Sequence, residues 1–231
     1  TDGQRVDRGI ILDEILNEIM SVSGDTAVKR QLQRILHREW LRIAYGDLIR
    51  KQTPDTVLEQ TSYLYEGLLA AAFQVAVSRT AAATDSNLSD QFAVIALGDL
   101  AANQMCYGDT VNILMVYDGT NNDAGADVLN KVLAKTLALL TSSTGEPLFT
   151  IDVSFPLSNN NSSPATNLNA AVQYLDFSGR TWQRCALIGA RPCIGNAELG
   201  AEFLRRIDKW IYRRYLSRAD MTGMRSQKRR L

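Results

Sequence analysis

The side chains able to do chemistry in this chain are few, and most stand apart from one another. There is one histidine, His37, and three cysteines, Cys106, Cys185 and Cys193. His37 lies within a helical pattern, far from any cysteine, so a Cys–His or Ser–His nucleophile pair has no support. The cysteines are odd in number and lack C-x-x-C spacing. That argues against a disulfide framework or a zinc site and fits a reducing compartment. All three read as small buried hydrophobes. Asp109 follows Gly108 and reads as a turn or cap residue. From Arg213 onward the chain carries Arg213, Arg214, Arg218, Arg225, Lys228, Arg229 and Arg230 against one acid, Asp220. Such an end is either a solvated helix and tail or a docking strip for an acidic partner.

The elements that must position these groups are bounded by composition. The chain has 231 residues, 45% of them hydrophobic, enough for one large domain or two small ones with a real core. Lysine plus arginine equals 25, as does aspartate plus glutamate, so no net charge draws the chain to nucleic acid or an anionic membrane. No apolar run reaches the length of a membrane span. The first residue is Thr1 rather than Met, as in a processed or excised segment whose targeting peptide lies out of view.

Periodicity predicts helices over residues 10–20, 26–49 and 55–80. The second carries Leu32, Ile35, Leu36, Trp40, Ile43 and Leu48 as its apolar stripe. Ala81 to Ser89 reads as a loop. Two short apolar runs, 91–97 and 111–117, read as buried strands. A loop rich in Gly, Asn and Asp follows from Asp118 to Gly125. A helix over 126–141, a third strand from Leu148 to Phe155 and a polar loop from Ser158 to Ser163 come next. Helices near 165–176, 180–188 and 197–217 complete the chain. Three or so strands among many helices make an α+β pattern, without internal repeats. The divisions expected are a helical lead-in over 1–80, a core over 81–195 and a helix with a basic tail over 196–231.

The stretch from Phe92 to Asp118, FAVIALGDLAANQMCYGDTVNILMVYD, resembles the nucleotidyltransferase signature of glutamine synthetase adenylyltransferases, FAVIGMGKLGGRELNYSSDIDLIFLYD, without a gap. Four more segments resemble the family in order. They are LQRILHREWLRIAYGDL (Leu32–Leu48), GEPLFTIDV (Gly145–Val153), TWQRCALIGARPCIG (Thr181–Gly195) and YRRYLSRADMTGMR (Tyr212–Arg225). The resemblance covers almost the whole chain. It implies a nucleotidyltransferase, DNA polymerase β-like fold, with a small mixed sheet preceded and followed by helices. Its activity would be AMP transfer from Mg-ATP to a tyrosine of glutamine synthetase, or removal of that AMP.

That chemistry needs Mg²⁺, and Mg²⁺ needs hard oxygen ligands, chiefly carboxylates. On a strand, D-x-D sets two carboxylates on one face, and a third acid on a neighbouring strand completes the cluster. The resemblance places the D-x-D positions on Thr110 and Asn112, neither charged, and the third on Asp152, which is kept. Asp109 stands one residue away, and that offset turns its side chain to the other face unless a bulge intervenes. The family's Lys and paired glycines become Asp99, Ala101 and Ala102, beside the retained Gly98. Cβ atoms now stand where backbone should approach phosphate, and the added acid repels it. Two family arginines become Ser154 and Pro156, and Gln183 replaces a glutamate. Arg184 and Arg191 survive, either as phosphate contacts or as partners of buried acids.

The expectation is therefore a degenerate, non-catalytic member acting as a structural or regulatory subunit through protein partners. It would have no intact metal site and no cofactor. An active adenylyltransferase or deadenylylase using Mg-ATP, with Asp152 and Asp109, is the alternative. The cytoplasm is the family's default location, and an organelle assembly such as a mitochondrial one is the alternative.

Overall fold

A computed structural model describes residues 4–84, 88–119, 123–142, 144–158, 163–215 and 218–228. Its centre is an antiparallel pair, β1 (Phe92–Ala96) and β2 (Val111–Tyr117), with Phe92 opposite Tyr117 and Ala96 opposite Ile113. Every residue of β1 is buried, as is every residue of β2 except Asn112. Strands this apolar need cover on both faces.

The side chains of Phe92, Val94, Ala96, Ile113, Met115 and Tyr117 meet one helical layer. It is built from α1 (Arg8–Met20), α2 (Asp25–Leu48) and α3 (Pro54–Thr84), and α5 (Asp123–Leu139) joins it. The short α4 (Gly98–Ala102) lies between the two strands in sequence. The helices before residue 84 thus share a core with the sheet. Tyr65, Phe73, Leu64 and Leu68 of α3 are fully enclosed there, each contributing about 1.5–3 kcal/mol of transfer free energy.

The opposite face, Ala93, Ile95, Leu114 and Val116, packs on a second layer. That layer holds α6 (Leu168–Ser178), α7 (Thr181–Ala186) and α8 (Ala197–Ile211), and α9 (Arg218–Lys228) packs on α7. Asn167 caps α6 by accepting from the amides of Asn169 and Ala170, and Asn196 caps α8 by accepting from Leu199.

Three short strands complete a mixed sheet. β3 (Ile151–Asp152) and β4 (Ala165–Asn167) pair in parallel with successive parts of one edge of β2. β5 (Arg191–Gly195) pairs antiparallel with β1 and forms the far edge, where Pro192 is tolerated. Val94 opposes Ile194 and Ile95 opposes Pro192, so Cys193 is the inserted residue of a bulge. Gly195 has φ +79, and a Cβ there would lie 2.4 Å from the Phe92 carbonyl oxygen. Only glycine suits the turn from β5 into α8.

Several sequence expectations are corrected. The described residues hold five strands rather than three. The strand expected over 148–155 is a two-residue ladder, because β4 takes the rest of that edge of β2. The helix expected from 165 begins at 168, after β4, and the helix expected over 180–188 ends at Ala186. The helix expected over 197–217 stops at Ile211, since Tyr212 leaves helical geometry (φ −100, ψ 64). Leu48 points to solvent rather than into the core, as do Ile10 and Met20 of α1. Of the three cysteines none is fully enclosed: Cys106 is exposed, and Cys185 and Cys193 are half-buried. Of the loop expected over 81–89, residues 81–84 end α3 and Leu88–Asp90 is a short 3-10 helix; of that over 118–125, residues 123–125 open α5; residues 85–87, 120–122 and 159–162 lie outside the described residues, as do Arg229 and Arg230 of the basic end.

Candidate functional site

The sheet register brings two of the expected site residues together. Asn112, the second residue of β2, pairs directly with Asp152 of β3. Thr110 precedes β2 by one residue, and alternation sets it on the same side as Asn112, while Val111 between them is buried. The side-chain amide of Asn112 donates to the Thr110 carbonyl at 3.0 Å. Asp152 accepts from the backbone amide of Ser154 at 2.8 Å.

Asn112 and Asp152 open onto a cleft of 440 Å³, whose lining does not include Thr110. The β1–α4 turn contributes Leu97, Gly98 and Asp99; β2 contributes Asn112 and Ile113; β3 and the segment after it contribute Asp152, Ser154, Phe155 and Pro156. Trp182, Cys185 and Ala186 of α7 close the far side. Trp182 meets Phe155 edge to face at 5.6 Å. Gly98 has φ +52, which favours glycine at the point where the chain turns into α4.

The cleft's electrostatics are simple. Among the described residues its charged groups are Asp99 and Asp152, and no Lys, Arg or His lines it. A triphosphate entering would meet two carboxylates and no counter-charge. Mg²⁺ fits poorly as well. Of Thr110, Asn112 and Asp152 only the last offers an anionic oxygen, and one lobe of that carboxylate already holds the Ser154 amide. Among the described residues no group of three or more His, Cys, Asp or Glu side chains converges as a metal site.

The other expected residues stand elsewhere. Asp109 folds back to accept from the Cys106 amide at 2.6 Å, capping the turn through Gly108, and it does not line the cleft. Arg184 is buried. Its guanidinium donates to the Trp210 carbonyl at 3.0 Å and to Asp220 at 2.7 Å, and lies 5.0 Å from the Trp210 ring centroid. Arg191 forms a fork on Glu66, with both bonds at 2.9 Å. It also donates to the carbonyls of Leu100 and Ala101 and to the Asn103 side chain. Both arginines thus bind acids and carbonyls of the chain itself.

One functional group escaped the sequence reading, and a second was met there only as a lost charge. Glu66 is fully enclosed in α3 and receives Arg8 from one side and Arg191 from the other. Burial alone would raise its carboxyl. The hydrogen bonds and charges of Arg191 and Arg8 outweigh that and hold it below the ordinary carboxylate range. Gln183 is also fully buried. Its carbonyl accepts from the Arg180 amide at 2.8 Å, and its NH₂ donates to the Pro156 carbonyl at 2.7 Å. It therefore ties the cleft's Phe155–Pro156 rim to the start of α7, a job that needs a donor as well as an acceptor.

The cysteines offer a check on this geometry. Burial, with Glu66 nearby, pushes the Cys193 thiol up to about 12. In native protein at pH 8, Cys106 should react readily with an aromatic disulfide reagent, and Cys193 far more slowly than it does after unfolding. Equal rates for the two would contradict the bulge that turns Cys193 inward towards the Val94 carbonyl.

Comparison with known proteins meets the same region. The family model described as glutamate-ammonia ligase adenylyltransferase matches residues 8–206. Among curated proteins, the bifunctional glutamine synthetase adenylyltransferase/adenylyl-removing enzyme of Brucella suis biovar 1 (strain 1330) is 26% identical over 243 residues, covering 95% of this chain and 24% of that protein. The enzyme of the same description from Nitrosococcus oceani is 24% identical over 228 residues, covering 93% of this chain and 24% of that protein. That from Rhizobium meliloti (strain 1021) is 28% identical over 144 residues, 60% of this chain and 15% of that protein. The chain spans about a quarter of the length of the curated relatives it matches along most of its own length. With the family model matched over most of its residues and a mixed α+β sheet to go with it, the chain belongs to the glutamate-ammonia ligase adenylyltransferase family.

Proposed function

We propose that this chain is a nucleotidyltransferase-fold domain without transfer chemistry, acting through protein contacts as a structural or regulatory part of an assembly. One observation carries the reading. Where the family resemblance expects paired carboxylates beside Asp152, the residue in register with it is Asn112, and the surrounding cleft, among the described residues, holds acids without a cation. Asp109, the acid one residue from the Thr110 position, is committed to the turn at Cys106. Arg184 and Arg191 are committed to Asp220 and Glu66. Phosphate affinity without counter-charge is unfavourable, and a single carboxylate is a poor Mg²⁺ ligand set.

The relatives named above are described as acting on glutamine synthetase. A protein partner therefore suits this chain, with nucleic acid not called for. Among the described residues no helix is long and apolar enough to cross a membrane. The cytoplasm is the location that suits the family. The basic end supplies one surface for such contacts: Arg213, Arg214, Arg218 and Arg225 are all exposed.

Calorimetric titration with Mg-ATP tests the reading. The expected result is no saturable heat up to millimolar nucleotide. In the double variant Thr110→Asp/Asn112→Asp, Mg²⁺ alone should bind at least about tenfold more tightly, or roughly 1.4 kcal/mol. Micromolar Mg-ATP binding by the native chain, lost in Asp152→Asn, would overturn the proposal. It would point instead to an active adenylyltransferase or deadenylylase working on glutamine synthetase.

A further inference from the structure

Helix α2 is apolar on two sides, and only one of them is covered. Val28, Leu32, Ile35, Leu36 and Ile43 enter the core. On the outer side Arg30, Arg34, His37, Leu41, Tyr45 and Leu48 are all exposed. At about 100° per residue these six fall within an arc of about 80°, so they form one stripe along the helix. Leu41 is 70% exposed, Tyr45 43% and Leu48 64%, and the adjoining Ile49 is 64%. Isolated exposed leucines mean little, but four large apolar side chains in just over two turns form a patch.

The stripe has a charge pattern. Its apolar centre, Leu41 to Ile49, is about 12 Å long. Arg30, Arg34 and His37 precede it, and Arg50 and Lys51 follow it, all exposed. The other arginines of α2 are occupied: Arg38 pairs with Glu18 and Glu39, and Arg42 with Glu39. None of Arg30, Arg34, Arg50 or Lys51 enters an ion pair among the described residues. Asp47, the nearest acid, is turned to the flank, 3.5 Å from the Tyr107 hydroxyl.

We propose that this stripe is the docking surface for an amphipathic helix of a protein partner. That helix would carry apolar residues at three- and four-residue spacing and carboxylates in the turns beyond each end. Charge complementarity selects this occupant. A second copy laid parallel would set cation on cation. Laid antiparallel about Leu41 it would set Arg34 on Leu48, and about Tyr45 it would set Leu41 on Ile49 but leave Arg30 and Arg34 without an acid of the stripe. A helix with carboxylates beyond its apolar turns meets Arg30 and Arg34 along the stripe and covers the leucines, as in helix-in-groove recognition, with Arg50 and Lys51 in the turn that follows α2. An anionic bilayer would also attract the cations, but it would lie against Asp47 at the border of the patch.

The probe is a fluorescein-labelled peptide of about 20 residues, with leucines in its middle turns and glutamates in its outer turns. A second peptide has lysine in place of each glutamate. Fluorescence anisotropy with the full chain should give saturable binding of the glutamate peptide and none of the lysine peptide. Leu41→Glu/Leu48→Glu should weaken binding by about tenfold or more, and Arg34→Glu by a few-fold, with circular dichroism unchanged because all three sites are exposed. Failure to bind either peptide, equal binding of both, or indifference to Leu41→Glu/Leu48→Glu would overturn the proposal. So would a concentration-dependent dimer abolished by that double variant, which would assign the stripe to a second copy. Co-sedimentation with phosphatidylserine vesicles abolished by the same variant would assign it to a membrane.

Discussion

Replacing Glu66 by glutamine should cost about 3 kcal/mol and lower the melting temperature by roughly 6–12 °C. Glu66 is fully enclosed and takes two bonds from Arg8 and two from Arg191. Removing its charge leaves two guanidinium groups facing a neutral amide. Breaking a buried pair typically costs about 3–5 kcal/mol. The lower end applies because the Arg8 and Arg191 side chains are 42% and 24% exposed and can recover some hydration. The pH dependence has a definite sign. The folded carboxyl lies below its ordinary value, so its contribution is full above the unfolded value of 4.5 and is lost as pH falls through the folded one. Chemical denaturation between pH 3 and 7 should show native stability falling on the acid side more steeply than that of Glu66→Gln. Parallel curves for the two proteins would rule out Glu66 as the neutralised centre of the triad.

Gln183→Glu is the second large effect, and it restores the residue type that the family resemblance expects. It should destabilise by about 2–3 kcal/mol at neutral pH. The glutamine NH₂ donates to the Pro156 carbonyl, and a carboxylate there would set oxygen against oxygen with no access to water. Protonation would restore a donor. The folded value of the new group should therefore rise, and the deficit should grow as pH climbs above the unfolded carboxylate range. The cleft rim at Phe155–Pro156 should loosen as well, which Trp182 fluorescence would report. A variant as stable as the parent at pH 7 would show that the Pro156 contact carries no weight.

Much of the fold was legible because long helices and fully apolar strands carry strong periodic signals. α1, α2, β1 and β2 fall within two residues of expectation. β5 was not legible: Arg191-Pro192-Cys193-Ile194-Gly195 has neither alternation nor β-branched density, and it is a strand only because β1 offers it an edge. β4 was lost for a similar reason, as three residues running straight into a helix. Leu48 misled because α2 is apolar on two sides, and spacing alone does not say which is covered.

The site divides in the same way. The pairing of Asn112 with Asp152 followed from strand alternation plus the family resemblance. For Arg184 and Arg191 the sequence offered buried acids or phosphate as partners without saying which acids, and Glu66 was not singled out, because the partners are distant in sequence. Glu66 meets Arg8 across 58 residues and Arg191 across 125. Nothing in its local sequence sets Glu66 apart from Asp55 and Glu59, the other acids of α3, as the buried one.

That last span has a consequence for how the chain matures on the ribosome. Synthesis delivers α1, α2 and α3 first, with Glu66 and Arg8 already able to meet. Arg191 emerges 125 residues after Glu66, and β1, against which its strand pairs, must form before it can dock. Until then the nascent helical layer holds an under-neutralised carboxylate against its apolar face and an uncovered surface where the sheet will sit. Closing so long a loop is entropically costly and slow. Chaperone dependence should therefore be greatest for nascent chains halted between α3 and β5, and should drop once Arg191 clears the exit tunnel.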